Sequence, residues 1–241
     1  MSARRKNPPS QQSVLLRSPR MPLALIVAVA ILVAALIVLL SQLGSAGGSS
    51  ASREDVGKLY SGIPQNGTTL GKSSSPVTIY LYEDFQCPYC GEFSRQMFPK
   101  LVEEYVRGGK AKLISEPLTF LGPDSVVASK AALAAGEQDR YWPYYSLLFE
   151  NQGEENSGYV TTGFLESLAQ KTPGLNVSKW EAMRKENSLE SELYEAQAKA
   201  RSEGVNSTPT LIFSGPGGQQ TIDELRDYNQ ISQAIDQVDG S

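Results

Sequence analysis

The chain has 241 residues, with 22 basic and 26 acidic side chains, two cysteines and no histidine. Without histidine there can be no Ser-His-Asp triad, no Cys-His nucleophile pair and no His-ligated metal, and two thiolates are too few for a four-coordinate structural zinc site. Five basic residues and no acid precede residue 21, so everything after carries 17 basic and 26 acidic residues, a net of −9; such an acidic body binds polyanions poorly, and no nucleic-acid partner is expected.

Residues 1–20 contain Arg4, Arg5, Lys6, Arg17 and Arg20 among polar residues and prolines. They read as a disordered cytoplasmic tail. Residues 21–40 carry no charge, and a run of that length crosses a hydrocarbon core of about 30 Å. A transmembrane helix is therefore expected over 21–40, with the preceding positive charges holding the N-terminus inside. A cleavable signal peptide is the alternative, with small residues at Gly44, Ser45 and Ala46, but the apolar run exceeds the usual h-region of about 7–15 residues. Both readings put the following domain outside the cytoplasm, where disulfides persist. Residues 41–52 read as a flexible Gly/Ser linker. The remaining residues, 53–241, suffice for one domain with its own core.

Ser52 with Asp55 is expected to cap a short helix over 53–59. Residues 77–82 are β-branched, aliphatic or aromatic throughout and predict a strand buried on both faces. Phe93, Met97, Leu101 and Tyr105 recur every four residues, predicting one amphipathic helix ended by Gly108 and Gly109. A second strand is expected at 112–115. Residues 123–203 are mostly helical by pattern, punctuated by Gly136, Gly153 and Thr172-Pro173-Gly174. Within them, Trp142, Tyr144, Tyr145, Leu148 and Phe149 read as core. A strand follows at 208–213, then a turn at 215–218, a short last strand at Thr221 and Ile222, and an amphipathic helix over 228–238. Strands separated by helices imply an α/β fold.

The chemistry sits between the first strand and its helix. Cys87-Pro88-Tyr89-Cys90 is a C-x-x-C pair. A helix N-terminus projects unpaired N–H groups and a partial positive charge, which stabilise a thiolate at its first residue. Pro88 suits the first turn because it has no N–H to lose. Cys87 is thus the expected nucleophile and Cys90 the resolving thiol, acting through a mixed disulfide. An inert structural disulfide is the competing reading, but so short a loop stabilises weakly. A thiolate site for a soft metal is a further alternative, without a Met or His cluster to support it. No cofactor is expected.

Four stretches resemble the DsbA-type, thioredoxin-like thiol–disulfide oxidoreductases, in the membrane-anchored or secreted form of Gram-positive bacteria. They are Gly62-Ile63-Pro64-Gln65 with Thr69-Leu70-Gly71, then Asp84-Phe85-Gln86-Cys87-Pro88-Tyr89-Cys90, then Ala135-Gly136-Glu137-Gln138 with Tyr141-Trp142 and Leu148-Phe149-Glu150-Asn151-Gln152, and Gly204-Val205-Asn206-Ser207-Thr208-Pro209-Thr210. The resemblance implies a thioredoxin-like fold with an inserted helical subdomain at about 123–203. It also implies a cis Pro209, with Thr208 and Pro209 facing the cysteines so that an extended substrate can pair with the Thr208 backbone. Implied partners are reduced or misoxidised secreted proteins and a membrane quinone-linked reoxidant. A reductase of the same fold and a non-redox peptide-binding module are the alternative functions. Two departures stand out. The family often carries a buried acid six residues before the first cysteine, where this chain has Leu81. Glu83 lies nearer; it is expected to be a solvated strand-end residue, with a proton relay as the alternative. Tyr89 also replaces the histidine of the strongest oxidants.

Overall fold

The structure is a computed structural model and describes residues 53–240. The expected tail, membrane helix and linker at 1–52 lie outside the described residues. Among the described residues no helix is long and apolar enough to cross a membrane.

Helix α1 (Arg53–Tyr60) leads into a hairpin of two-residue strands, β1 (Gln65–Asn66) and β2 (Thr69–Leu70). The core strand β3 (Val77–Glu83) follows, then α2 (Pro88–Gln96), α3 (Phe98–Leu101), a π-turn (Val102–Val106) and β4 (Ala111–Pro117). Five helices make the insertion: α4 (Pro123–Gly136), α5 (Tyr141–Glu150), α6 (Thr162–Lys171), α7 (Val177–Met183) and α8 (Ser188–Ser202). The chain closes with β5 (Thr210–Gly215), β6 (Gly218–Ile222) and α9 (Tyr228–Asp239). Sheet order is β1-β2-β4-β3-β5-β6. Only β3 and β4 run parallel; the other neighbours are antiparallel. The α/β, thioredoxin-like architecture with a helical insertion is thus the one expected.

β3 is the central strand; the face of Val77, Ile79 and Leu81 is fully buried, while on the other face Tyr82 is buried and Thr78 and Tyr80 are half-buried, so burial on both faces is met only in part. Val77, Ile79, Leu81 and Tyr82 are all fully buried, and Ile79 pairs with Leu113 on one side and Phe213 on the other. Each such apolar side chain contributes about 1.5–3 kcal/mol on burial. The last helix covers the sheet with its buried Ile231, Ala234, Ile235 and Val238, one apolar face as its amphipathic pattern predicts, and starts at a capping box of Asp227 and Gln230. The aromatic residues of α5 are buried as expected. Phe98 stacks on Trp142 with ring centroids 5.3 Å apart, which joins the insertion to the sheet layer.

The structure departs from the local expectations at several places, among them the strand expected from 208, which begins at Thr210. The single helix predicted through Tyr105 is broken at Met97 and resumes at Phe98. Pro99 is the reason, since it lacks an N–H and its ring collides with the carbonyl four residues back. The β1–β2 hairpin was not foreseen, because strands of two residues carry no periodicity; Gly67 at φ 54° makes the turn between them. The last strand begins at Gly218, three residues before Thr221.

Candidate active site

The site grows out of the end of β3. Strand pairing stops at Glu83, and residues 84–86 carry the chain to Cys87, the N-cap of α2, with Pro88 in the first turn. The Cys87 N–H donates to Asp84 O at 2.9 Å, and Gly91 N–H donates to Cys87 O at 3.1 Å. This short connection is clamped by the insertion. The buried Asp84 carboxylate accepts from Gln86 N at 2.9 Å, Ser125 Oγ at 2.7 Å and Leu121 N at 3.1 Å. Burial raises its pKa, and those hydrogen bonds with one from Phe120 N–H oppose the rise. Gln86 Nε2 donates to Ser125 Oγ at 2.9 Å, and its Oε1 accepts from Asn156 N at 2.8 Å. Gln152 Nε2 donates to both Phe85 O at 2.9 Å and Cys87 O at 3.0 Å.

Both cysteines are free thiols, and their surroundings push them in opposite directions. Cys87, 5% exposed, has its pKa lowered to about 6. The chief cause is a hydrogen bond from the Cys90 thiol. Burial works against it, while a hydrogen bond with Thr208 and the backbone N–H groups of Cys90 and Tyr89 add to it. The helix-start amides invoked from sequence are therefore present, with the neighbouring thiol contributing more. Cys90 is fully buried and its pKa is raised by that burial, by its hydrogen bond to Cys87, and by the charges of Glu83 and Cys87.

The Thr208–Pro209 peptide is cis. Cys87 Sγ lies 3.3 Å from Thr208 O, 121 residues along the chain. Cys87 opens onto a groove of about 590 Å³ whose lining includes Tyr89, Phe120, Leu121, Arg201 and Thr208. Tyr89 is 72% exposed and Phe120 49%, so two large apolar side chains stand free at its rim. Cys87, Pro88, Tyr89, Thr208 and Pro209 are thus brought together.

Glu83 is not the solvated strand-end residue expected. It is 2% exposed. The strand end is roofed by α5, whose Tyr145 Oη donates to Glu83 Oε2 at 2.7 Å. Its other oxygen, Oε1, is buried with no hydrogen-bond partner. Burial raises the Glu83 pKa, Tyr145 opposes the rise, and the charge of Cys87 adds to it.

Comparison with known proteins fits this geometry. The family model described as "Thioredoxin" matches residues 64–237. The chain belongs to the thioredoxin family. Its resemblance to the DsbA-type branch holds as well. Disulfide bond formation protein D of Bacillus subtilis is 29% identical over 174 residues, which is 69% of this chain and 74% of that protein. Among solved structures, oxidised BdbD from Bacillus subtilis superposes with a TM-score of 0.64 at 24% identity, covering 72% of this chain and 95% of its own. Chlamydia trachomatis DsbA does so with a TM-score of 0.61 at 24% identity, covering 70% and 90%.

In this thioredoxin-family site, an ionisable thiol beside a buried one can carry out thiol–disulfide exchange. Among the described residues no group of three or more acidic or cysteine side chains is placed to hold a metal. Sequence reasoning did not assign the clamp of Asp84, Gln86, Ser125, Gln152 and Asn156. A signal existed for some of it: Asp84, Gln86 and Gln152 stand inside the stretches that carried the resemblance.

Proposed function

We propose that the chain is an extracytoplasmic oxidase of protein thiols, tethered to the membrane through residues 21–40 and the 41–52 linker. Its catalytic residues in this reading are Cys87 and Cys90. The observation that carries it is the contrast between the sulfurs, one held near pKa 6 beside the groove and one buried with its pKa raised. Starting from a Cys87–Cys90 disulfide, a substrate thiolate attacks Cys87 Sγ. The Cys87–Cys90 bond breaks, a mixed disulfide forms, and Cys90 leaves as a thiolate that takes up a proton. A second substrate thiolate then attacks the substrate sulfur of the mixed disulfide and expels Cys87. A thiol of low pKa is the better leaving group, so the second step is favoured. A thiolate stabilised in the reduced state also makes the pair a stronger oxidant.

Glu83 is the proton donor to Cys90 in this reading. Thr208, before Pro209, offers backbone to an extended substrate, which adds as a strand beside Pro88 and Tyr89. Reduced or misoxidised secreted proteins are the substrates, and a membrane quinone-linked partner restores the disulfide. The deciding measurement is the equilibrium of the pair with glutathione. A potential nearer the roughly −120 mV of DsbA than the roughly −270 mV of thioredoxin supports the oxidase; one near thioredoxin's makes the protein a reductase. Cys87→Ser should abolish oxidation of a reduced unfolded protein, and activity that survives it overturns the redox reading. Cys90→Ser should accumulate mixed disulfides through Cys87.

A further inference from the structure

The Glu83 carboxyl has a single hydrogen-bond donor among the described residues, and that donor belongs to the helical insertion. Tyr145 lies in the middle of α5, 62 residues from Glu83 in sequence, and its phenol reaches Oε2 at 2.7 Å. The ring is fully buried. It is boxed in by Phe85, Phe98, Tyr141, Trp142 and Phe149, with centroids 4.9–6.2 Å away. In an interior packed that closely, the hydroxyl has one position available.

The titratable groups that face Glu83 are Cys87 and Cys90 from α2, Tyr60 from α1, and Tyr141 and Tyr145 from α5. None is a cation. Tyr60 is engaged with Ser146 at 2.6 Å and Tyr141 with Ser115 at 2.7 Å. Tyr145 is thus the group that favours the carboxylate over the acid. It does so on one oxygen and leaves Oε1, buried and without a partner, to exchange a proton.

We infer that Tyr145 is a positioning residue for proton transfer at Cys90: it fixes Oε2 of Glu83 so that Oε1 takes and returns the proton. The inference rests on the Glu83 relay proposed above. When the enzyme is reoxidised, the Cys90 S–H bond breaks and its proton passes to Oε1. The Cys90 thiolate attacks Cys87 Sγ in the mixed disulfide, a Cys87–Cys90 bond forms, and the partner leaves as a thiolate. Oxidation of a substrate runs the proton back, from Oε1 to the departing Cys90 sulfur.

The test is stopped-flow reaction of the reduced full-length chain with 5,5′-dithiobis(2-nitrobenzoate) between pH 5 and 9. Cys87 releases the first chromophore by attacking the reagent. Cys90 releases the second by resolving the mixed disulfide, so the two phases report the two sulfurs separately. Tyr145→Phe keeps the ring and removes the donor. Its second-phase profile should move up by about one pH unit, because a charge-assisted hydrogen bond is lost. The second-phase rate at pH 7 should fall several-fold while the first phase keeps its midpoint near pH 6. Glu83→Gln should flatten the second-phase profile, and adding Tyr145→Phe to Glu83→Gln should change nothing further. A fluorinated tyrosine at 145, a stronger donor that preserves the packing, should move the midpoint down and keeps the test available if Tyr145→Phe does not fold.

An unshifted second phase in both position-145 variants, with Glu83→Gln still effective, overturns the inference and leaves the relay standing. A Tyr145→Phe effect that persists in the Glu83→Gln background, or that slows both phases alike, also overturns it, because the tyrosine is then only structural. An unaltered second phase in Glu83→Gln removes the relay itself.

Discussion

The thioredoxin core and the helical insertion do different work at one site. The core supplies the sulfurs. β3 and α2 meet at Cys87, and the start of α2 directs the Tyr89 and Cys90 amides at its sulfur. The insertion supplies the hold. Ser125, Gln152 and Asn156 grip residues 84–87, and Tyr145 grips Glu83. Reactivity is therefore set within the core, by the neighbouring thiol, Thr208 and the helix start, whereas the rigidity that keeps it in place comes from the insertion. Preorganisation of this kind needs a supporting shell whose own positions are locked.

The largest effect should come from the insertion's own core. Trp180 is fully buried, donates from Nε1 to Ala131 O at 2.8 Å and packs on Tyr144 at 5.7 Å. Trp180→Ala should lower unfolding stability by about 3–5 kcal/mol in a urea titration. The Cys87 ionisation, followed by thiolate absorbance, should stay near pH 6; a clear move would break the division between the two regions.

Asp84→Ala strikes the clamp and leaves its buried donors without an acceptor. A loss of about 2–4 kcal/mol is expected. Here the Cys87 ionisation should rise above 6, because the connection that sets the sulfur against the helix start relaxes. Gln152→Ala removes a single donor shared by two carbonyls and should cost about 1–2 kcal/mol, with a smaller rise at Cys87. Measuring both variants by alkylation rate against pH ranks the clamp residues.

Glu83→Gln should have an effect no larger than that of Gln152→Ala and of the opposite sign. Burial raises the Glu83 pKa in the folded state, so the folded chain holds that proton more tightly than the unfolded one. Its contribution is fully present below the unfolded value of about 4.3 and is lost as pH rises through the folded value. Glutamine keeps an acceptor for Tyr145 and carries no charge to bury. The variant should therefore be more stable than the parent by about 1–2 kcal/mol at pH 8 and equal to it at pH 4. Equal stabilisation at both pH values would show that a buried charge is not the cause.

Much of this molecule could be read from short stretches of sequence. The periodicities of β3, β5 and α9 are local consequences of which side chains tolerate burial, and the C-x-x-C pair announced its strand-to-helix junction within a few residues. Pro99 is equally local: its break in the helix is a backbone rule, although the apolar spacing continues through it.

The sequence by itself determined the order of the core strands and helices from β3 onward, the helix start under Cys87 and, through resemblance, the Thr208–Pro209 loop opposite it. Only the tertiary structure decided that Glu83 is roofed by Tyr145, 62 residues away, and that Gln152 reaches Cys87 O across 65 residues. Periodicity records which face of an element is buried and is silent on which distant polar group meets it. That choice belongs to packing, which places a donor where an unpaired buried acceptor would otherwise be costly.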